Sequence, residues 1–308
     1  MSGLEVRPAP SPPAQASLVG LTLLAAIAPL VWGTTYVVTT EMLPPDRPLT
    51  AGFLRAAVAG LLLLAIAPGV PPVGWRLRTV VLGVLNIGAF FPLLFISAYR
   101  LPGGLAAVVG SLQPLIIAAL TATLGWRQPP RRQVALAVVA AAGVALMTVT
   151  SRTTVDAWGL TAAIAGTASM AVGILLSSRW RLPAGYRPLT CTAWQLVVGG
   201  VVIAPLVPFT DSGALVLDGA AVLGYLWLAL VGGAIGYGVW LHGARQLPPA
   251  STALLGMLSP LMAAVLGWVV LGQSLGPLQC LGFALALGGA ASGQLVGLRA
   301  ARRDRGAH

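Results

Sequence analysis

The sequence predicts an all-α membrane protein, with ten transmembrane helices arranged as two inverted five-helix repeats. Three observations lead there. Of 308 residues, 57% are hydrophobic and only 8% charged. A soluble domain carries roughly 25% charged residues, so this chain has too little polar surface to meet water on every side. Apolar runs of about 20 residues, the length that crosses a bilayer as a helix, recur from end to end. The basic residues fall in alternate gaps between those runs.

Taken in order, the runs cover approximately 17–40, 49–67, 79–99, 103–124, 134–150, 158–177, 188–207, 220–243, 249–271 and 277–298. Helices are required, because lipid offers no partner to an unpaired backbone amide, and the runs lack the alternation of a transmembrane barrel. Residues 1–16 are Pro-rich and polar and read as a disordered cytoplasmic tail. The first apolar run is too long for a signal-peptide core and has no clear cleavage pattern, so it reads as a retained anchor. Residues 299–308 form a basic cytoplasmic tail.

All eighteen basic residues are Arg, as codon bias in a GC-rich bacterial genome would produce. With the N-terminus in the cytoplasm, that side holds Arg7, Arg76, Arg78, Arg127, Arg131, Arg132, Arg179, Arg181, Arg187, Arg245, Arg299, Arg302, Arg303 and Arg305. The far side holds Arg47, Arg100 and Arg152, and Arg55 lies within a span. Positive loops stay cytoplasmic, so both termini are inside and the bacterial inner membrane is the expected location. Glu41, Asp46, Asp156, Asp211 and Asp218 gather outside. The dispersal of the arginines makes the lipid bilayer the partner, and no nucleic acid is expected. Cys191 and Cys280 sit far apart in apolar runs and read as small apolar residues.

The chain repeats itself. "LPGGLAAVVGSLQPL" from Leu101 aligns with "LPPASTALLGMLSPL" from Leu247 at a constant offset of 146 residues. "LTAGFLRAAVAG" from Leu49 echoes "LTCTAWQLVVGG" from Leu189, which sets Gln195 opposite Arg55. A five-helix unit therefore occurs twice, at 17–150 and 156–298, split near 151–157. Five is odd, so the second copy enters the membrane in the opposite sense. Such repeats hold a solute near the midplane where the halves meet.

Several of these strings, "PLVWGTTYVV", "LTAGFLRAAVAGLLLL" and the two "LP…G…P" helices, together resemble the EamA type of the drug/metabolite transporter superfamily over residues 18–297. The resemblance implies a ten-helix inverted-repeat carrier with cytoplasmic termini that exports metabolites or drugs through a central cavity. The chain departs from the family where "GE" often follows the fourth and ninth helices, having Gly125-Trp126 and Gly272-Gln273 instead. Met170 stands where the second copy would repeat Trp32.

Candidate solute-binding residues are Trp32, Tyr36, Arg55, Asn86, Phe90, Gln113, Gln195, Tyr237 and Trp240. Arg55 costs up to about 2.5–3.5 kcal/mol at a helix centre. It reads as a carboxylate anchor, as an ion-pair partner of Glu41 or Asp46, or as a side chain snorkelling to lipid phosphate. Asn86 and Gln113 carry amides with four bonding sites each, more than one neighbour satisfies. Trp75, Trp126 and Trp180 sit at span edges and read as interfacial anchors. Pro114 and Pro260 match in the two copies and are expected to kink helices four and nine. Glu41 is the one borderline acid at a span end, so proton coupling lacks its usual carboxylate. Two His, no metal-ligand spacing and no phosphate loop leave neither an enzyme nor a cofactor to expect. The expected activity is alternating-access export of small, amino-acid-like organic metabolites by a monomer or homodimer. A multidrug exporter of the same fold and a non-transporting sensor or scaffold are the alternatives.

Overall fold

The structure, a computed structural model, describes residues 15–125, 129–149, 155–211, 215–247 and 255–306. Ten helical segments run in chain order: α1 (Val19–Met42), α2 (Pro48–Ile66), α3 (Val73–Arg100), α4 (Gly103–Thr123), α5 (Arg131–Val149), α6 (Ala157–Trp180), α7 (Pro188–Thr210), α8 (Gly219–Gly243), α9 (Leu258–Val269) and α10 (Pro277–Gly306). Eight stretches among them are long and apolar enough to cross a membrane, and α9 is a shorter apolar helix. The expected disordered tail lies outside the described residues apart from its last two, which are already helical, in the segment Gln15–Gly33 that leads into α1. The proposed seam between copies also lies largely outside them.

Several helices outrun their apolar cores. α3 begins six residues earlier than hydropathy suggests, which draws Arg76 and Arg78 into its first turns. Hydropathy undervalues that end because Arg78 spends its charge on aromatic faces, 5.8 Å from the rings of both Trp75 and Trp180. Trp75 itself is 5% exposed and packs edge-on against Tyr186 at 6.3 Å. It is therefore a packing residue and not the interfacial anchor its position suggested, while Trp126 lies outside the described residues. α10 continues as helix through the basic C-terminal segment to Gly306.

The packing is symmetric between the copies. α2 lies along α7 at the centre, and α5 along α10 at one edge. Around the central pair, α1 packs on α8 as α6 packs on α3, and α2 meets α8 as α7 meets α3. Every helix of the central group thus rests on the opposite copy. Lipid supplies no hydrophobic drive between helices, so close backbone approach has to hold them. At Gly143 in α5 a Cβ would stand 2.5 Å from the Ala286 amide and the Gly282 carbonyl of α10.

The acids of the Arg-poor end have local work. Asp156 and Asp218 cap α6 and α8, accepting from the Gly159 and Ala221 amides at 2.6 and 2.7 Å. Asp211, at the end of α7, caps α2 of the other copy: it accepts from the Leu49 and Thr50 amides and from the Thr50 hydroxyl, the last two at 2.6 Å. Asp156 also pairs with Arg100 at 3.1 Å. The Gly159 amide, and after it that guanidinium, hold its carboxyl below the ordinary value of 3.8.

Turns stand at equivalent places in the two copies, Ser111–Leu112 within α4 and Gly256–Met257 just before α9. Pro114 and Pro260 stand in the first turn of the segments that follow, Gln113–Thr123 and Leu258–Val269. They do not interrupt running helices, as expected from mid-helix kinks; they start new ones, where an amide has no intrahelical acceptor to lose.

Candidate functional site

Two stretches of π-helix, Val84–Ala89 in α3 and Trp227–Ile235 in α8, occupy equivalent positions in the two copies. Wider hydrogen-bond spacing in such turns loosens the carbonyl ladder, and π-helical turns cluster at functional sites. The offset of 146 that relates the fourth and ninth helices, extended back, carries Asn86 onto Gly232, and both lie in these stretches.

Arg55 reaches across from α2 to the α8 stretch. It donates to the Gly232 carbonyl and to the Thr35 hydroxyl, both at 3.3 Å, and its guanidinium lies over the Phe91 ring at 4.9 Å. Only 3% of the residue is exposed, and its Nε has no acceptor. Neither Glu41 nor Asp46 bonds it; both are exposed, in α1's last turn and the loop that follows. The ion-pair and snorkelling readings therefore give way to a guanidinium sealed between the copies on neutral oxygens and an aromatic face.

Trp32 closes the same point from α1. Its indole N–H donates to the Gly232 carbonyl at 2.9 Å, so one carbonyl serves both donors. Its ring stands 5.6 Å from Tyr237 and 5.5 Å from Trp240. The phenols of Tyr36 and Tyr237 lie within electrostatic reach of Arg55. α1 is interrupted beside this cluster, at Thr34, whose hydroxyl accepts from the Trp227 indole at 2.8 Å.

Five of the nine sequence-selected residues thus come together: Trp32, Tyr36, Arg55, Tyr237 and Trp240. Phe90 joins at the margin, 5.9 Å from Phe91. Asn86 and Gln195 form a separate pair, the Asn86 amide donating to the Gln195 carbonyl oxygen at 2.8 Å, with Asn86 Oδ1 left unpartnered. Gln113, half-buried, begins the second segment of α4 and is not bonded to either group. The Asn86–Gln195 tie is the symmetry counterpart of the Gly232–Arg55 tie. Both join the second helix of one copy to the π-turn of the other. Sequence reading missed the Gly232 carbonyl, although the 146-residue offset, extended back from Leu101, points to Gly232.

A cavity of about 500 Å³ opens between the start of α7 and the end of α8, lined by Arg187, Leu189, Gly238, Leu241 and His242 among others. Gly238 and Leu241 directly follow Tyr237 and Trp240 in sequence, so this cavity approaches the cluster from the Arg-rich end. A second cavity, about 350 Å³, opens at the other end of the bundle and is lined in part by Gln273, Ser274 and Gln279. Neither is lined by Arg55. Among the described residues no group of His, Cys, Asp or Glu is placed to hold a metal ion.

A multi-pass helical bundle of two interlocked copies, with a polar cluster sealed at their junction, has the build of a carrier. The profile of the EamA-like transporter family matches this chain twice, over residues 20–149 and 157–292, and the chain belongs to that family. It is a membrane transporter of small molecules, not an enzyme. Protein PecM of Dickeya dadantii is 44% identical over 84% of this chain and 86% of its own length. The uncharacterized inner membrane transporter YedA of Escherichia coli K12 is 27% identical over 82% of this chain and 83% of its own. A probable terminal-alkyne amino-acid exporter of Streptantibioticus cattleyicolor is 29% identical over 84% and 91%. A solved crystal structure shares the fold with a TM-score of 0.63 at 23% identity, covering 91% of this chain and 98% of that one.

Proposed function

We propose that this protein sits in the bacterial inner membrane with both termini cytoplasmic and exports small, amino-acid-like organic metabolites by alternating access. One observation carries the reading: Arg55 is buried at the junction of the copies without a carboxylate beside it. A lone buried cation is expensive, and a solute carboxylate offers it a bidentate partner. Trp32, Tyr237 and Trp240 supply apolar faces for the rest of the solute. The names of two relatives, an inner membrane transporter and an amino-acid exporter, agree with location and solute class.

Flux in proteoliposomes tests this. With a panel of radiolabelled amino acids, N-acyl amino acids and aromatic carboxylates as probes, the wild type gives saturable flux of at least one class. Arg55→Gln lowers it about tenfold or more, the loss of one charge-assisted hydrogen bond, and Arg55→Lys lowers it less. Equal flux in wild type and Arg55→Gln would remove the anchor and favour the multidrug alternative, in which the aromatic cluster alone binds. No flux of any probe would favour the sensor or scaffold.

A further inference from the structure

Arg55 keeps its charge at any physiological pH. Its bonded neighbours, the Thr35 hydroxyl and the Gly232 carbonyl, are neutral. The seven acids of the chain are Glu5, Glu41, Asp46, Asp156, Asp211, Asp218 and Asp304. Asp156, Asp211 and Asp218 spend their carboxylates on helix N-termini. Glu41 and Asp46 are exposed toward the Arg-poor end, and Glu5 and Asp304 belong to the terminal segments. Among the described residues no side chain neutralises Arg55 at its depth, and its Nε still lacks an acceptor there.

We propose that the solute is an organic monoanion and that the membrane potential drives it outward, the charge-carrying step being the return of the empty carrier. This rests on the transport reading above and on Arg55 meeting the solute. A carboxylate on the guanidinium makes the loaded site neutral, so the potential does not act on the outward step. The empty site carries one positive charge, and an inside-negative potential pulls it back toward the cytoplasm. Each cycle exports one negative charge. At equilibrium that sustains a tenfold outward gradient for about every 60 mV of potential. No proton or sodium ion is consumed.

A zwitterion would not exploit this arrangement. Its ammonium would sit within a few ångströms of Arg55 and oppose the attraction that its carboxylate gains. The loaded and empty sites would then carry the same charge, and the potential would cancel from the cycle. Nor is there an open aromatic box to receive the ammonium, since Tyr237 and Trp240 already pack on the Trp32 ring. Within the amino-acid-like class, the chemistry points to acids whose amine is absent or acylated.

Voltage steps on the purified protein in a planar bilayer, without organic solute, test the charge-carrying step. The wild type gives transient currents with equal on and off charge, Arg55→Lys keeps them, and Arg55→Gln loses them. Absence of the transient in the wild type, or its survival in Arg55→Gln, overturns the proposal. Indole-3-acetate and phenylacetate suppress the transient, whereas L-tryptophan and L-phenylalanine leave it. Suppression by the zwitterions, or by neither anion, overturns the assignment of the solute. Export from liposomes that ignores a potassium–valinomycin potential, or that needs a proton gradient, would end this inference while leaving the carrier intact. Absence of any flux would end the carrier reading itself.

Discussion

Asp211 shows how far one side chain reaches. Its carboxylate belongs to the second copy, yet it completes the first turn of α2 in the first. Replacing it with Ala leaves two buried amides and a hydroxyl without an acceptor, at a cost of about 1–3 kcal/mol. Thermal unfolding in detergent should show a clearly lowered midpoint for Asp211→Ala, with Asp211→Asn partly restoring it; an unchanged midpoint would mean water takes over the bonds. The clustering of acids outside was plain in the sequence, but their use as caps was not, because Asp211 and Thr50 are 161 residues apart. Arg55 was conspicuous for the opposite reason, as an isolated charge in an apolar run. Its acceptor is a backbone carbonyl, which no side-chain pattern announces.

At the level of elements, the ten apolar runs stood out because a bilayer demands long uninterrupted helices. The breaks inside them did not. π-turns and the pauses at Ser111 and Gly256 depend on which carbonyls find donors on neighbouring helices, and hydropathy carries no trace of that. The α5–α10 pair is held close by small residues, a contact that the structure supplies. Gly143→Val would drive methyl groups into the α10 backbone, costing about 1–3 kcal/mol by overpacking. Gly110→Ala, with open space around its Cβ, should be neutral or slightly stabilising. Fluorescence-detected size exclusion after heating separates them: the first variant should lose its monodisperse peak at lower temperature than the wild type, the second should not. Equal loss would mean the helices at that edge are looser than their spacing implies.

Across the whole molecule, the duplication was legible as similar strings recurring 140 to 146 residues apart, and the family matches twice, over residues 20–149 and 157–292. What strings could not convey is the interlocking, in which each copy completes the other's helix ends and polar ties. The arginine distribution fixes the expected orientation. A fluorescent-protein fusion after His308 should be bright and an alkaline-phosphatase fusion there inactive, with the reverse pattern for fusions in the segment around Asp156. A reversed result would turn the molecule over and move the 500 Å³ cavity to the other face.

The α2–α7 pair at the centre is fastened at both ends. Asp211 holds the start of α2, and at the opposite end the Thr190 hydroxyl and the Trp194 indole of α7 donate to the carbonyls of Ala67 and Gly69, just beyond α2. Two rods pinned twice resist scissoring. A rearrangement that bares Arg55 is expected to leave them as a fixed doorpost while the flanking helices swing, and a covalent staple between those rods should leave turnover unharmed.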